Sequence, residues 1–210
     1  MAKTKIAVMV SGGGTNLQAL MDQEKAGNIP SGEIDLVIAS NDKAYALQRA
    51  AKYNKKTAVI KRKDYADQDA FDAAIVKTLR DNGIEMVILA GYLSILGQGV
   101  ISAYKDRIIN IHPSLIPSFC GKGFYGLKVH EAALAKGVKV TGATVHFVNE
   151  IPDGGKIILQ KAVEVEDGDT PEVLQRRVME QAEWILLPKA AEMVAHQIQE
   201  EKRHESERIS

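Results

Sequence analysis

Apolar runs of strand length alternate with amphipathic helical stretches from the first residues onward. No other feature of the chain constrains its fold as tightly. Runs at 6–10, 34–40, 57–60 and 85–91 read as strands, and 17–25, 45–53 and 69–81 between them read as helices. The 69–81 stretch spaces Phe71, Ala74, Ile75, Thr78 and Leu79 as one helical face. The 85–91 run is apolar at nearly every position, as a strand buried on both faces would be. Such β-α-β-α repetition implies a parallel sheet with right-handed crossovers. The second half departs from that pattern. A strand at 107–112 runs into HPSLIPSF, and a loop with Gly121, Gly123 and Gly126 leads to a helix near 129–136. The stretch 141–148 alternates like a half-buried strand, Asp153-Gly154-Gly155 makes a turn, and 157–165 is another strand. Thr170, Pro171 and Glu172 form a cap, a first turn and a dipole-matched carboxylate for a long final helix. The polar stretch 197–210 is expected to fray. No internal repeat or linker-like shift interrupts the chain. The expectation is one α/β domain over 1–210, a mostly parallel twisted sheet flanked by helices, with a front half at 1–105, a second half at 106–196 and a tail at 197–210.

Charge and composition narrow the partners. The chain has 210 residues, is 45% hydrophobic and carries zero formal net charge. That is enough for a sizeable core, and it gives no long-range positive field for nucleic acid and no basic block for anionic lipid. The apolar runs are far shorter than a membrane span. The N-terminal lysine pair and short apolar run read as a strand rather than a signal peptide. Cys120 is the single cysteine. It permits no intramolecular disulfide, fits a reducing, cytoplasmic compartment, and reads as an ordinary loop thiol.

Ser11-Gly12-Gly13-Gly14-Thr15-Asn16 follows a strand and opens a helix. Glycines let the backbone approach a ligand, and the first helical amides then point at it, so an anionic group such as a phosphate is the natural guest. Thr15 and Asn16 add side-chain donors. The alternative is a tight strand-to-helix turn with no ligand. The loop is not a Walker motif, and Leu17 stands where the dinucleotide fingerprint needs its third glycine.

Asn110 and His112 are two apart at a strand end and therefore share a face. An amide donor beside an imidazole suits carbonyl chemistry: the amide stabilises an oxyanion and the ring moves a proton. A structural strand end with a hydrogen-bonded histidine is the plainer alternative. Asp153 would be projected by its turn. His146 either faces a site or is a satisfied core histidine, and His130, His196 and His204 read as surface residues on helices. No histidine or carboxylate spacing supports a metal site, and no GxSxG elbow supports a serine hydrolase.

In order along the chain, SGGGTNLQAL, LAGYLSILG, NIHPSLIPSF, VHFVNEIPDGG and IILQ resemble the phosphoribosylglycinamide formyltransferase family of purine biosynthesis. The resemblance covers about residues 6–188. It implies a Rossmann-like front half that holds the phosphate of glycinamide ribonucleotide at Gly14, Thr15 and Asn16, with Glu183 on the ribose. It implies folate binding by Leu93, Ser94, Ile95, Leu96, Asn110, Val148 and Asp153 in a folate-binding and catalytic half. Asn110, His112 and Asp153 match the family's catalytic trio. Ser94 and Gln68 stand where the family often has basic residues, so the expectation there rests on backbone contacts. The GKGFYG loop replaces a shorter proline-glycine form.

The implied reaction moves the formyl group of 10-formyltetrahydrofolate, as co-substrate and without metal, to the amine of glycinamide ribonucleotide in a monomer or homodimer. A formyltetrahydrofolate hydrolase shares the trio but is expected to carry an N-terminal regulatory domain. A methionyl-tRNA formyltransferase is expected to add an RNA-binding domain and a basic surface. A non-catalytic nucleotide-binding module would leave Asn110, His112 and Asp153 without a purpose. Asp153 lies about forty residues beyond His112. The two meet only if the strand at 141–148 pairs with that at 107–112, so that its following loop folds over the strand end.

Overall fold

The computed structural model describes residues 2–209. The elements are β1 (Thr4–Val10), α1 (Thr15–Lys25), β2 (Gly32–Ala39), α2 (Ala46–Lys52), β3 (Lys56–Val59), a 3₁₀ turn (Arg62–Asp64) and α3 (Gln68–Asp81). They continue as β4 (Met86–Leu89), α4 (Gln98–Ala103), β5 (Ile108–His112), α5 (Leu127–Lys136), β6 (Val140–Phe147), β7 (Ile157–Glu164), α6 (Pro171–Val178), a π turn (Met179–Glu183) and α7 (Trp184–Ile209). The expected strands and the helices through α5 are present, with ends shifted by a residue or two. The 3₁₀ turn and α4 were not legible, because neither is long enough to show a period.

Seven strands form one sheet in the order β3-β2-β1-β4-β5-β6-β7. The first five are mutually parallel. The last two are antiparallel, and β6 pairs with β5 as the second half of the sequence requires. Strand order reverses between β1 and β4. A crevice therefore opens beyond their C-terminal ends, where open α/β sheets bind ligands. One apolar core packs α1 and α7 on one face through residues such as Leu17, Leu20, Leu187 and Val194. A second packs α3 and α4 on the other face through Phe71, Ile75 and Val100. No helix among the described residues is long and apolar enough to cross a membrane.

Three expectations need correction. The long final helix starts as expected, with Thr170 Oγ1 accepting from Val173 N (3.3 Å). It is then interrupted by the π turn before α7. Pro188 lies inside α7 and removes the bond its N–H would make to the Trp184 carbonyl, which loosens the helix just after that turn. The polar stretch from residue 197 is helical through Ile209, the last described residue, rather than frayed. Gln199 Nε2 donates to the Ala2 and Ser31 carbonyls, Arg107 pairs with Glu201 (3.2 Å) and Lys202 pairs with Glu85. These contacts, with Ile198 buried in the core, tie a mostly polar helix to the N-terminal ends of the central strands. His130 is not on the surface. It is fully buried at the start of α5, and burial, with the nearby His112 charge, pushes its ring down to about 4, so it is neutral at ordinary pH.

Candidate active site

The glycine loop presents backbone rather than side chains. Its carbonyls are all engaged by the protein. Ser11 O accepts from Asn41 Nδ2 (2.9 Å), Gly12 O from Ala46 N (3.2 Å), Gly13 O from Arg49 Nε (2.8 Å) and Gly14 O from Gln18 N (2.9 Å). The Ser11 N–H is taken by the Gly91 carbonyl (3.1 Å), and the start of α1 has no side-chain cap and no acidic residue, so its first amides are left without a cap from the chain. A Cβ added to Gly12 or Gly13 meets nothing within 4 Å, so the open side of the loop lies there. Gly14 differs from expectation. Its φ is +72°, and an added Cβ would lie 2.6 Å from Ala46 Cβ, so glycine is needed for packing against α2 rather than for ligand room. The Thr15 and Asn16 side chains reach the π turn. Thr15 Oγ1 lies 3.7 Å from Met179 Sδ, and Asn16 Nδ2 donates to Glu183 Oε2 at 2.6 Å. Glu183 is 6% exposed, and burial raises its carboxyl to about 7 against the pull of the Asn16 bond. The wide turn thus places Glu183 directly against the loop, as π turns at functional sites do.

The second cluster is built from side chains that the sheet brings together. Asn110 on β5 stands opposite His146 on β6 in the antiparallel register. Asn110 Nδ2 lies 3.1 Å from His146 Nε2 and 3.5 Å from Asp153 Oδ1. The Phe147 carbonyl accepts from His146 Nδ1 (2.7 Å), and His146 Nε2 faces both the Asn110 amide and Asp153 Oδ1 (3.5 Å). His112 Nδ1 lies 3.6 Å from Asp153 Oδ2, so the turn beyond β6 does fold over the end of β5. His112 Nε2 is 2.9 Å from the Phe119 carbonyl, an acceptor only, so that nitrogen carries a proton. Gly121 N donates to Asp153 Oδ2 at 2.7 Å. The glycine-rich loop is therefore latched to both His112 and Asp153. Burial alone would raise the Asp153 carboxyl. The His146 bond, the His112 charge and the Gly121 N–H outweigh it and hold the group below the usual carboxylate range. Asp153 has φ 55°, and a Cβ on Gly155 would lie 1.7 Å from the Phe147 carbonyl, so the two glycines let the turn close on β6. No group of three or more His, Cys, Asp or Glu that could hold a metal occurs among the described residues.

An apolar cleft opens beside Asn110, His146 and Asp153. Leu89, Tyr92, Leu96, Ile101 and Val148 form its walls, and Ser94 and Ile95 also line it. Burial pushes the Tyr92 phenol up to about 12, so it stays neutral. Leu93 does not line the cleft. Its side chain is 62% exposed, and its N–H donates to Ser11 Oγ (2.8 Å), which joins the cleft segment to the glycine loop.

Sequence reasoning missed Asp72 entirely and left His146 undecided. Asp72 is buried and accepts from Gln68 Nε2 (2.7 Å), Gly97 N (3.0 Å) and Gly99 N (3.1 Å), pinning the segment that forms the cleft wall. A single aspartate inside a helix carries no signal of that role. His146 had one, since its alternation in β6 places it on the same face as Asn110 once β5 and β6 are paired.

Comparison with known proteins gives the following. A family model described as formyl transferase matches residues 4–190. The human trifunctional purine biosynthetic protein adenosine-3 is 43% identical over 193 residues, which are 92% of this chain and 18% of that protein. The chain therefore spans about a fifth of the length of that relative. Phosphoribosylglycinamide formyltransferase of Bacillus subtilis is 37% identical over 174 residues, 83% of this chain and 86% of that protein. The crystal structure of glycinamide ribonucleotide transformylase 1 from Symbiobacterium toebii is 41% identical, with a TM-score of 0.86, over 92% of this chain and 88% of that one.

Proposed function

The chain belongs to the formyl transferase family, and on that premise we propose that it transfers the formyl group of 10-formyltetrahydrofolate to the amine of glycinamide ribonucleotide. One observation carries the reading. An amide, an imidazole and an ionised carboxylate converge at one end of an apolar cleft, and an amide-lined glycine loop is joined to the cleft wall through Ser11. The cleft suits a flat, largely apolar folate ring. The loop suits a phosphate. The names of the Bacillus and Symbiobacterium relatives support the same pair of substrates.

In this reading Gly14, Thr15 and Asn16 hold the ribonucleotide phosphate and Glu183 meets the ribose. Ser94, Ile95, Leu96 and Val148 wall the folate ring, and Leu93 contributes through its backbone. The substrate amine attacks the formyl carbon and forms a tetrahedral intermediate with an oxyanion. The Asn110 N–H and the His112 Nε2–H stabilise that charge. His112 Nε2 is held by the Phe119 carbonyl in this structure, so engaging the formyl oxygen exchanges one acceptor for another. The carbon–nitrogen bond to the folate then breaks. The proton lost by the amine reaches the departing folate nitrogen, through His112 or a water held by Asp153. Every residue used comes from one chain, so a monomer or a homodimer serves the mechanism equally. A cytoplasmic setting goes with it.

The test is an assay of tetrahydrofolate release from 10-formyltetrahydrofolate with and without glycinamide ribonucleotide. Release only when the amine is present is the expected result. Release without it would identify a hydrolase, and no release in either case would overturn the reading.

A further inference from the structure

The segment between β4 and α4, residues 90–97, has no regular structure, yet it supplies Tyr92, Ser94, Ile95 and Leu96 to the cleft. Burial does little to place its middle, where Leu93 is 62% exposed and Ile95 76%. A stretch with so little packing keeps one geometry only where hydrogen bonds fix its backbone. At its start Ala90 N donates to the Met9 carbonyl (2.9 Å), which continues the pairing of β4 with β1. At its end the Ile95 carbonyl accepts from Gln68 Nε2 (3.2 Å), and Asp72 accepts from Gly97 N (3.0 Å). Both of those side chains belong to α3. The middle is held by Ser11. Ser11 N donates to the Gly91 carbonyl (3.1 Å), and Leu93 N donates to Ser11 Oγ (2.8 Å). Leu93 does not line the cleft, but its neighbours Tyr92 and Ser94 do, so a bond at Leu93 N sets the placement of both.

Ser11 is also the first residue of the glycine loop, and it is fixed from the other side by the end of β2. Its carbonyl accepts from Asn41 Nδ2 (2.9 Å), and its hydroxyl oxygen accepts from Ser40 Oγ (2.7 Å). Ser40 is anchored in turn, its N–H donating to the Val10 carbonyl (3.0 Å). Both acceptor positions of Ser11 Oγ are therefore used, one toward Ser40 and one toward Leu93. A single hydroxyl thus stands between the loop that suits a phosphate and the backbone of the cleft wall. With the ribonucleotide on the loop and the formyl donor against the wall, the approach of amine to formyl carbon depends on how these two backbones are set against each other. A misplacement of about 1 Å between reacting groups costs about 10² in rate.

We infer that Ser11 is a positioning residue for the transfer: by tying Leu93 N to the glycine loop, with Ser40 as its support, its hydroxyl holds the two substrates in register. The assignment rests on the formyl-transfer reading of the loop and the cleft. It is tested by steady-state kinetics with both substrates, and by thermal melts, on wild type, Ser11→Ala, Ser11→Thr and Ser40→Ala. Ser11→Ala keeps the backbone bond to Gly91 and loses only the hydroxyl. The bond at Leu93 N is exposed, so water can take the place of the lost acceptor and Tm stays within about 2 °C of wild type. Its kcat falls about 10–100-fold while both KM values stay nearly unchanged, the pattern of a contact that counts in the transition state. Ser11→Thr keeps the acceptor oxygen and recovers most of kcat. Ser40→Ala leaves the Leu93 bond in place and lowers kcat less than Ser11→Ala does. A Ser11→Ala enzyme with wild-type kcat overturns the assignment, and a rise in the donor KM alone would mean that the bond only shapes the cleft. A large fall in Tm, or a loss that Ser11→Thr does not recover, overturns it in favour of a packing role. In each of these cases wild type still transfers the formyl group. Failure of wild type to do so overturns the formyl-transfer reading itself and the assignment with it.

Discussion

The glycine loop after β1 meets its ligand with backbone, whereas the cluster at the end of β5 meets its ligand with side chains. The loop is contiguous, six residues whose carbonyls from Ser11 to Gly14 are all engaged by the protein, with open space beside Gly12 and Gly13. The cluster is assembled. Asn110 and His112 come from β5, His146 from β6 and Asp153 from the turn beyond it, and they meet only because β5 and β6 pair antiparallel. A backbone site tolerates side-chain change but not conformational change. A side-chain site has the reverse sensitivity. That contrast sets the size and kind of each mutational effect.

The largest effect is expected in the assembled cluster. His112→Ala removes proton movement and oxyanion support together, and turnover should fall by ~10²–10⁴-fold with the KM for both substrates nearly unchanged. Asn110→Ala should cost about 10²–10³-fold through the oxyanion alone. Steady-state kinetics with both substrates checks both. A His112→Ala enzyme that keeps most of its turnover would mean that the cluster is structural and the contrast false.

Asp153→Asn comes next. The native carboxyl sits below the usual carboxylate range, so it is ionised throughout the neutral region and loses its charge only as pH falls through that lowered value. Asparagine keeps the shape and the bond from Gly121 N but removes the charge that faces His112. Turnover should drop by at least about 10²-fold. The pH–rate profile should move as well, because the carboxylate that titrates beside His112 is gone. A profile that superimposes on the wild type would remove Asp153 from the proton path.

The same contrast explains what the sequence made legible. The strand–helix alternation and the glycine loop are local patterns, and both were readable within a residue or two. The pairing of β5 with β6 was needed before Asp153 could reach His112, and it followed from the geometry of that requirement rather than from any local signal. What escaped was tertiary. His130 has the spacing of a surface residue, yet α5 is packed so that it is fully buried. Asp72 looks like any helical aspartate until Gly97 and Gly99 are seen to donate to it. The polar end of α7 buries Ile198 in the core and is tied down further by contacts to Ala2, Ser31 and Glu85 that lie far away in sequence.

Within the loop the contrast can be sharpened between neighbouring glycines. Gly14 has a left-handed φ, and a Cβ there would press on Ala46. Gly14→Ala should therefore lower stability by about 1–3 kcal/mol without any ligand, visible as a lower Tm. Gly13→Ala faces open space, so its melt should stay within about 0.5 kcal/mol of wild type while the KM for the ribonucleotide rises. Equal destabilisation by the two would show that the outer face of the loop is packed, leaving no room for a ligand.

The smallest effect on substrate kinetics concerns Glu183, where the two kinds of site touch, a buried side chain set against the backbone loop. Asn16 Nδ2 donates to Glu183 Oε2 at 2.6 Å, and burial raises the carboxyl to about 7. Below the ordinary value of 4.5 the group is protonated in both the folded and the unfolded chain, so it affects stability equally in each. Between 4.5 and about 7 the unfolded chain ionises and the folded one does not, so folded stability falls as pH rises. Above about 7 the loss is complete, a few kcal/mol at most. Gln imitates the protonated carboxyl and removes the titration. Thermal melts of the ligand-free protein should therefore coincide for wild type and Glu183→Gln at pH 4, and Glu183→Gln should melt progressively higher than wild type up to pH 8. At pH 8, where the native carboxyl is ionised, its KM for the ribonucleotide should rise only a few-fold, since one neutral contact replaces one charged contact. Parallel melting curves across this range would mean that Glu183 is ionised even in the folded chain. The π turn would then hold a permanent negative charge beside the loop, which opposes a phosphate there.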